Sequence, residues 1–325
     1  MFLYLQKKNI LDNLYLKTSW AVIDVGTNII KLSLANQQGK KIIYFRHENF
    51  PVFIGKNGIN KNIIQKDAEI RLFEALDDCQ KILKEEKILE SQTFIVATSA
   101  LRNANNGQEI ALKIKQKYNF FIEIISGDRE ASFIAAGVKQ GFPKIKEMVL
   151  IMDIGGGSVE FIVTNGHKVF WQKSFEIGAT RLKEKYHNCE PISDLDLYRL
   201  MIFLEYELSS LREICFQYVP KYLIGTAGTF VTLAQIHLLN IGTPDIDAHG
   251  LLLSMSEFDD LYQMLINRNL EQRLQLGGLE EYRAELIVIS VCLLKNVLLL
   301  TDIDKICVSE FALKEGYLQK VIFPE

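Results

Sequence analysis

The sequence predicts an α/β protein of two related domains, each a mixed sheet covered by helices, that face each other across a cleft. Three observations lead there. Two segments share one strand-turn-strand pattern at an offset of 129 residues, which aligns Lys31 with Glu160. Strands alternating with helical stretches follow each copy, the order expected of mixed sheets flanked by helices. At 325 residues, the chain supplies two cores of ordinary domain size.

Residues 1–18 precede the repeat and are read as an N-terminal extension with no assigned function. Trp20–Phe45 is the first copy: an apolar strand ending in Asp24-Val25-Gly26, a polar turn, a strand over 30–35, a turn at Gln37-Gln38-Gly39 and a third strand. Apolar spacing then predicts a helix over 66–86, a strand over 93–97, a helix over 108–118 and a strand over 120–125. A helix over 129–139 closes this domain, and Gly141-Phe142-Pro143 marks the boundary. Val149–Trp171 is the second copy, with Asp153-Ile154-Gly155, a strand over 159–164 and a turn at Asn165-Gly166. Helices over 178–186 and 194–216, a strand over 222–224 and a helix from about Gly228 follow. The last strand and helix, within 305–320, are too short to stand alone and are assigned back to the first domain. The division is therefore 19–140 with 305–325 as domain I, and 141–304 as domain II.

Composition narrows the function classes. With 48% hydrophobic and 24% charged residues, 20 Gly and 6 Pro, the chain is neither disordered nor collagen-like. Lys and Arg number 37 against 40 Asp and Glu, so a broad cationic surface for nucleic acid is not expected. Cys79, Cys189, Cys215, Cys292 and Cys307 show no CxxC pair and are read as buried free thiols of a reducing compartment. The N-terminus lacks the continuous apolar run of a signal peptide, and 286–300 is short for a membrane span and carries Lys295 and Asn296. That segment reads as a buried or interface helix, and the protein as soluble and cytoplasmic, with no membrane partner. The five histidines show neither HxH nor HExxH spacing, so Ser/His/Asp or Cys/His nucleophilic catalysis lacks local support.

Four turns carry chemistry. Gly155-Gly156-Gly157-Ser158 lets backbone N–H groups converge without Cβ obstruction, as an anion requires, although a tight β-turn needing positive φ reads the same. The adjacent Asp153 and Glu160 favour the anion reading, because carboxylates beside a phosphate cradle commonly hold a divalent cation. Gly225-Thr226-Ala227-Gly228-Thr229 is a second Gly/Thr turn, here before a helix whose N-terminus favours anions. Thr98, Ser99 and Arg102 offer two hydroxyls and a guanidinium at a strand end. Ser126-Gly127-Asp128-Arg129-Glu130 reads as a capped helix start, where an acid such as Glu130 serves the helix dipole whether or not it serves catalysis.

In order along the chain, Ile23-Asp24-Val25-Gly26-Thr27-Asn28, Ala97-Thr98-Ser99-Ala100-Leu101-Arg102, Ile125-Ser126-Gly127, Glu130-Ala131, Asp153-Ile154-Gly155-Gly156-Gly157-Ser158 with Glu160, Gly178-Ala179-Thr180-Arg181-Leu182, Gly225-Thr226-Ala227-Gly228-Thr229, His249-Gly250 and Arg283-Ala284-Glu285 resemble the exopolyphosphatase/guanosine pentaphosphate phosphohydrolase family. That family belongs to the actin-like ATPase, sugar-kinase and heat-shock-protein superfamily. The resemblance implies two ribonuclease-H-like domains with mixed five-stranded sheets flanked by helices, and an active site in the inter-domain cleft. It implies removal of a terminal phosphate from inorganic polyphosphate or guanosine pentaphosphate, assisted by Mg2+. Glu130 matches the catalytic base; Glu160 matches the second acidic position and, with Asp153, would hold the metal or orient the water. Asp24 would face the metal from the first domain. Amides of Gly26-Thr27-Asn28 and of Gly155-Gly156-Gly157-Ser158 would grip phosphate. Arg102 and Lys31 would neutralise phosphoryl oxygens, and Ser99, Gly225, Thr226 and Gly228 complete the expected phosphate contacts.

The sequence departs from the family pattern at three places. Ile29 replaces a first-turn hydroxyl, Lys31 stands where Arg or His is common, and Ser132 replaces the Arg after the Glu-Ala pair. Polyphosphate is the first expected substrate. Guanosine pentaphosphate hydrolysis, non-catalytic guanosine tetra- or pentaphosphate sensing and a kinase on the same fold are the alternatives. A homodimer is the expected assembly.

Overall fold

In the computed structural model, which describes residues 18–324, the chain forms two mixed sheets flanked by helices. The first contains β1 (Thr18–Val25), β2 (Ile29–Gln38), β3 (Lys41–Pro51), β4 (Thr93–Ala97) and β5 (Phe121–Ile124) in the order β3-β2-β1-β4-β5. Its helices are α1 (Lys66–Glu85), α2 (Ser99–Asn103), α3 (Gly107–Tyr118) and α4 (Gly127–Gly141). The expected extension falls, up to residue 17, outside the described residues; Thr18 already begins β1.

The second sheet contains β6 (Val149–Ile154), β7 (Val159–Thr164), β8 (Val169–Phe175), β9 (Tyr222–Thr226), β10 (Leu252–Ser254) and β11 (Lys305–Val308), ordered β10-β11-β9-β6-β7-β8. Helices α5 (Ala179–Tyr186), α6 (Asp194–Glu207), α7 (Ser209–Tyr218), α8 (Ala227–Asn240), α9 (Met255–Ile266), α10 (Leu270–Leu274), α11 (Ile287–Thr301) and α12 (Leu313–Ile322) complete it. Read from β8, the order β8-β7-β6-β9-β11 repeats β3-β2-β1-β4-β5 strand for strand. Residues 305–325, assigned above to the first domain, therefore divide. The strand 305–308 fills the fifth position of the second sheet, parallel to β9, while α12 packs on α4 and reaches β1. β10 adds a sixth strand at that edge, one more than the five-stranded sheet expected.

The repeat holds at the level of register. Asp24 pairs with Lys31 across β1 and β2, and Asp153 pairs with Glu160 across β6 and β7. The central strands β1 and β6 carry apolar residues on both faces because helices cover both sides, and β6 is buried along its whole length. Two cores lie beneath the two sheets. A third apolar layer, with Val22, Val96, Ile134, Ile151, Ile224 and Tyr317, lies between the sheets and unites α4 and α12 with both. There the helices cross backbone against backbone. A Cβ on Gly137 would stand 1.9 Å from the Ala312 carbonyl oxygen, and one on Gly316 1.8 Å from that of Phe133. This crossing sets the N-termini of both helices, with Glu130 and Lys314, at the cleft.

The apolar segment 286–300 is core: α11 is buried nearly all round beneath the second sheet. The helix expected over 194–216 breaks at Leu208 into α6 and α7. All five cysteines are free, four buried and Cys189 exposed. Among the described residues no helix is long and apolar enough to cross a membrane.

Candidate active site

A cavity of about 510 Å³ opens between the two sheets, at the tips of their repeat turns. The β1–β2 turn and the β6–β7 turn are built alike: Gly26 N donates to Ile29 O at 3.1 Å, and Gly155 N donates to Ser158 O at 3.0 Å. The turns also interlock. A Cβ on Gly157 would stand 2.4 Å from Ser99 Oγ and 2.8 Å from Thr27 Oγ1, so glycine there is required by the close approach of the two halves.

What makes the turns donors is the fate of their carbonyls. Gly155 O accepts from Ala179 N, Gly156 O from Thr180 N, and Gly157 O from both Gly178 N and Arg181 Nε, at 2.9 to 3.2 Å. In the first turn, Thr27 O accepts from Gly55 N, and Asn28 O accepts from Val52 N and Phe53 N. The carbonyls are thus tied to protein. The N–H groups of Thr27, Asn28, Gly156, Gly157 and Ser158 find no backbone acceptor among the described residues. Buried N–H groups demand an acceptor, and these border a cavity that an anion could fill. The α8 N-terminus adds Ala227 and Gly228 to the lining.

Four carboxyls cluster beneath these donors: Asp24, Glu130, Asp153 and Glu160 are 7%, 7%, 8% and 1% exposed. Burial pushes Asp24 up to about 6, against the lowering effect of Lys31 and with a further push from Asp153. Asp153 is raised by burial while Lys31 and the 2.6 Å hydrogen bond from Thr226 Oγ1 oppose it. At Glu130 two effects conflict. Burial favours the neutral acid, whereas Arg102 Nη1, 2.8 Å from Oε2, favours the anion. Burial wins, helped by Asp153 and Asp24, and pushes Glu130 up to about 8. Glu160 is held well above the usual carboxylate range by burial and then by Glu130 and Asp153, although Ser174 Oγ donates to it at 2.7 Å.

The sequence expected Asp24, Asp153 and Glu160 to hold a metal. Asp24 and Asp153 line the cavity from equivalent strand ends; Glu160 does not line it and is turned to Ser174. Among the described residues no three or more His, Cys, Asp or Glu side chains form a group that could hold an ion by themselves. A closed three-carboxylate cage is therefore not present. The two aspartates fit the way Mg2+ usually binds beside phosphates, through one or two carboxylates with substrate oxygens and water supplying the rest.

Other expected contacts also shift. Gly26, Thr27, Asn28, Lys31, Ser99, Gly155, Gly156, Gly157, Ser158 and Gly228 line the cavity with Glu130. Gly225 and Thr226 do not. Both lie within β9; Gly225 presses on the Phe230 ring, and Thr226 is fully buried against Asp153. Thr226 thus positions a carboxylate rather than a phosphate. Arg102 is spent on carboxylates, Glu130 on one side and Glu176 at 3.1 Å on the other. Sequence reasoning missed Glu176, an isolated acid at a strand end. It also left out Tyr44, His47 and Lys314, which line the far side of the cavity and belong to no glycine-rich turn.

Residues 35–322 match the model of the Ppx/GppA phosphatase family. A bifunctional 3-dehydroquinate synthase/phosphatase of Fusobacterium nucleatum is 29% identical over 298 residues, 89% of this chain; the match spans 44% of that longer relative. Among solved structures, an exopolyphosphatase from Cytophaga hutchinsonii superposes with a TM-score of 0.89 at 34% identity, covering 94% of this chain and 97% of that one. The Ppx/GppA family member of Aquifex aeolicus gives 0.76 at 25% identity, covering 94% of this chain and 97% of that one.

Proposed function

The chain belongs to the Ppx/GppA phosphatase family and is a hydrolase, and we propose that it is an exopolyphosphatase with Glu130 as its general base. The observation that carries this reading is the burial of Glu130 beside the cavity with its carboxyl pushed up to about 8. A base with that proton affinity takes a proton near neutral pH far better than an ordinary carboxylate.

The terminal phosphoryl group would lie against the free amides of the two turns and the α8 N-terminus, which stabilise charge on its non-bridging oxygens. Lys31 adds a positive charge from the cavity wall. A water attacks phosphorus, the bridging P–O bond breaks, and its electron pair leaves on the shortened chain. The ionised Glu130 carboxylate takes the water's proton. Asp153 and Asp24 add to burial in raising the proton affinity of the base, and Glu160, hydrogen-bonded to Ser174, is itself raised by Glu130. Asp24 and Asp153 would hold Mg2+, which when bound supplies further neutralisation of phosphoryl charge.

Guanosine pentaphosphate is a second substrate favoured by one observation: the stacked rings of Tyr44 and His47, 5.5 Å apart, line the same cavity. Phosphate release with Mg2+ from polyphosphate, guanosine pentaphosphate and ATP, by wild type and Glu130→Ala, tests both readings. Release should fall by about 10²–10⁴-fold in the variant. No release from any substrate, with guanosine tetraphosphate bound equally by both proteins, would instead make the chain a sensor.

A further inference from the structure

Four donors converge on the carboxylate of Glu176. Ser99 Oγ, Asn103 Nδ2 and Arg181 Nη2 donate to Oε2 at 2.9, 2.8 and 3.2 Å, and Arg102 Nη2 donates to Oε1 at 3.1 Å. Two guanidinium groups, a hydroxyl and a carboxamide form the donor set that tetrahedral oxyanions attract. The set adjoins the active cleft, since Ser99 lines it and Arg102 also grips Glu130.

The partners and the occupant differ in freedom. Ser99 is 2% exposed, and the side chains of Arg102 and Arg181 are 16% and 10% exposed. Arg181 is fixed further by Gly157 O and Ile59 O at 2.9 and 2.8 Å. Glu176, by contrast, has 43% of its side chain exposed at the rim. The cradle is fixed, and the anion in it has water to turn into.

We propose that these donors form a phosphate subsite kept filled by Glu176, which an inorganic phosphate or phosphoryl group enters only as Glu176 leaves. Substrate binding then becomes an exchange of one anion for another. Arg102 and Arg181 never stand unpaired in a buried setting, a state that would be costly. The exchange also gives Arg102 the phosphate contact that the resting arrangement denies it. The inference rests on the proposed hydrolase only for the identity of the entering anion.

The test is metal-free binding of inorganic phosphate, measured by calorimetry on wild type, Glu176→Ala and Glu176→Gln, with thermal melts confirming folding. Glu176→Ala should bind phosphate about tenfold tighter than wild type or better, the worth of one hydrogen bond to a charged group. Glu176→Gln keeps the side-chain length but not the charge, so it should bind phosphate more tightly than wild type and less tightly than Glu176→Ala. Adding Asn103→Ala to Glu176→Ala should remove several-fold of the gain. Unchanged affinity in both single variants would overturn the proposal, leaving Glu176 as a clasp between α2 and α5. So would a gain that ignores Asn103. Because no turnover is measured, failure here is separate from failure of the hydrolase reading, which the release assay decides.

Discussion

Replacing Glu130 by Gln removes a charge that the fold resists and keeps the shape. The unfolded chain holds this carboxyl near 4.5, whereas burial pushes it to about 8 in the native state. Between those values the native protein binds the proton that the unfolded chain releases, so wild-type stability falls as pH rises. The linked cost is about 1 kcal/mol at pH 5, about 3 at pH 7 and about 4 at pH 8. Gln is neutral throughout and its carbonyl can still accept from Arg102, so the variant escapes this cost. It should match wild type at pH 4 and melt about 4–5 °C higher at pH 7, the gap widening to pH 8. Calorimetry in EDTA across pH 4–8 measures the gap, and phosphate release from the same samples should fall by about 10²–10⁴-fold. A gap independent of pH, or a variant less stable at pH 8, would refute the reasoning. It would mean that Arg102, at 2.8 Å, keeps Glu130 ionised from low pH upward.

The same proton governs the rate. In wild type, kcat/KM should rise about tenfold per unit from pH 6 to 7 and level off near 8; a flat profile would detach Glu130 from the base role. A Cβ at Gly178 would stand 2.4 Å from both Gly156 C and Gly157 N. Gly178→Ala should therefore displace the second turn and raise the KM for polyphosphate about tenfold or more, the worth of one charge-assisted hydrogen bond, as steady-state kinetics would record. Thr226→Val deletes the 2.6 Å hydrogen bond to Asp153 in a fully buried setting. It should cost about 1–3 kcal/mol in urea unfolding and raise the Mg2+ concentration needed for half-maximal activity.

The repeat was legible because its signal is a spacing. The offset of 129 residues reappears as matched registers, Asp24 with Lys31 and Asp153 with Glu160. The capped helix start placed Glu130 at a helix N-terminus, while its reading as a base came only from the family resemblance; the glycine turns were legible through composition. Other parts of the site lie beyond local reading. Three glycines alone do not say where carbonyls point; Ala179, Thr180 and Arg181, some two dozen residues on, decide that. Reading the second Gly/Thr turn as beginning at Gly225 ends the strand two residues early, whereas β9 continues through Thr226. The next residue, Ala227, adopts φ +63 without being glycine, so nothing in composition marks the bend. Glu176 meets donors from 73 to 77 residues upstream, a distance no motif spans. Likewise, the fifth place in the second sheet goes to 305–308 because β9 leaves an open edge, which only the assembled sheet displays.

The two registers carry one more implication. At matching positions of a duplicated unit, one half holds an ammonium and the other a carboxyl, each beside the equivalent aspartate of its own half. Had both halves kept the same residue, the groove between them would be electrically even, and a polyanion could lie in it facing either way. Lys31 lines the groove as a cation, whereas Glu160 lies behind it, turned to Ser174 and held toward its neutral form by burial, so at this pair the charge stands on one side only. Divergence at a single pair of sites thus gives the groove a polarity, and the proposed trimming of a polymer from its end depends on having one.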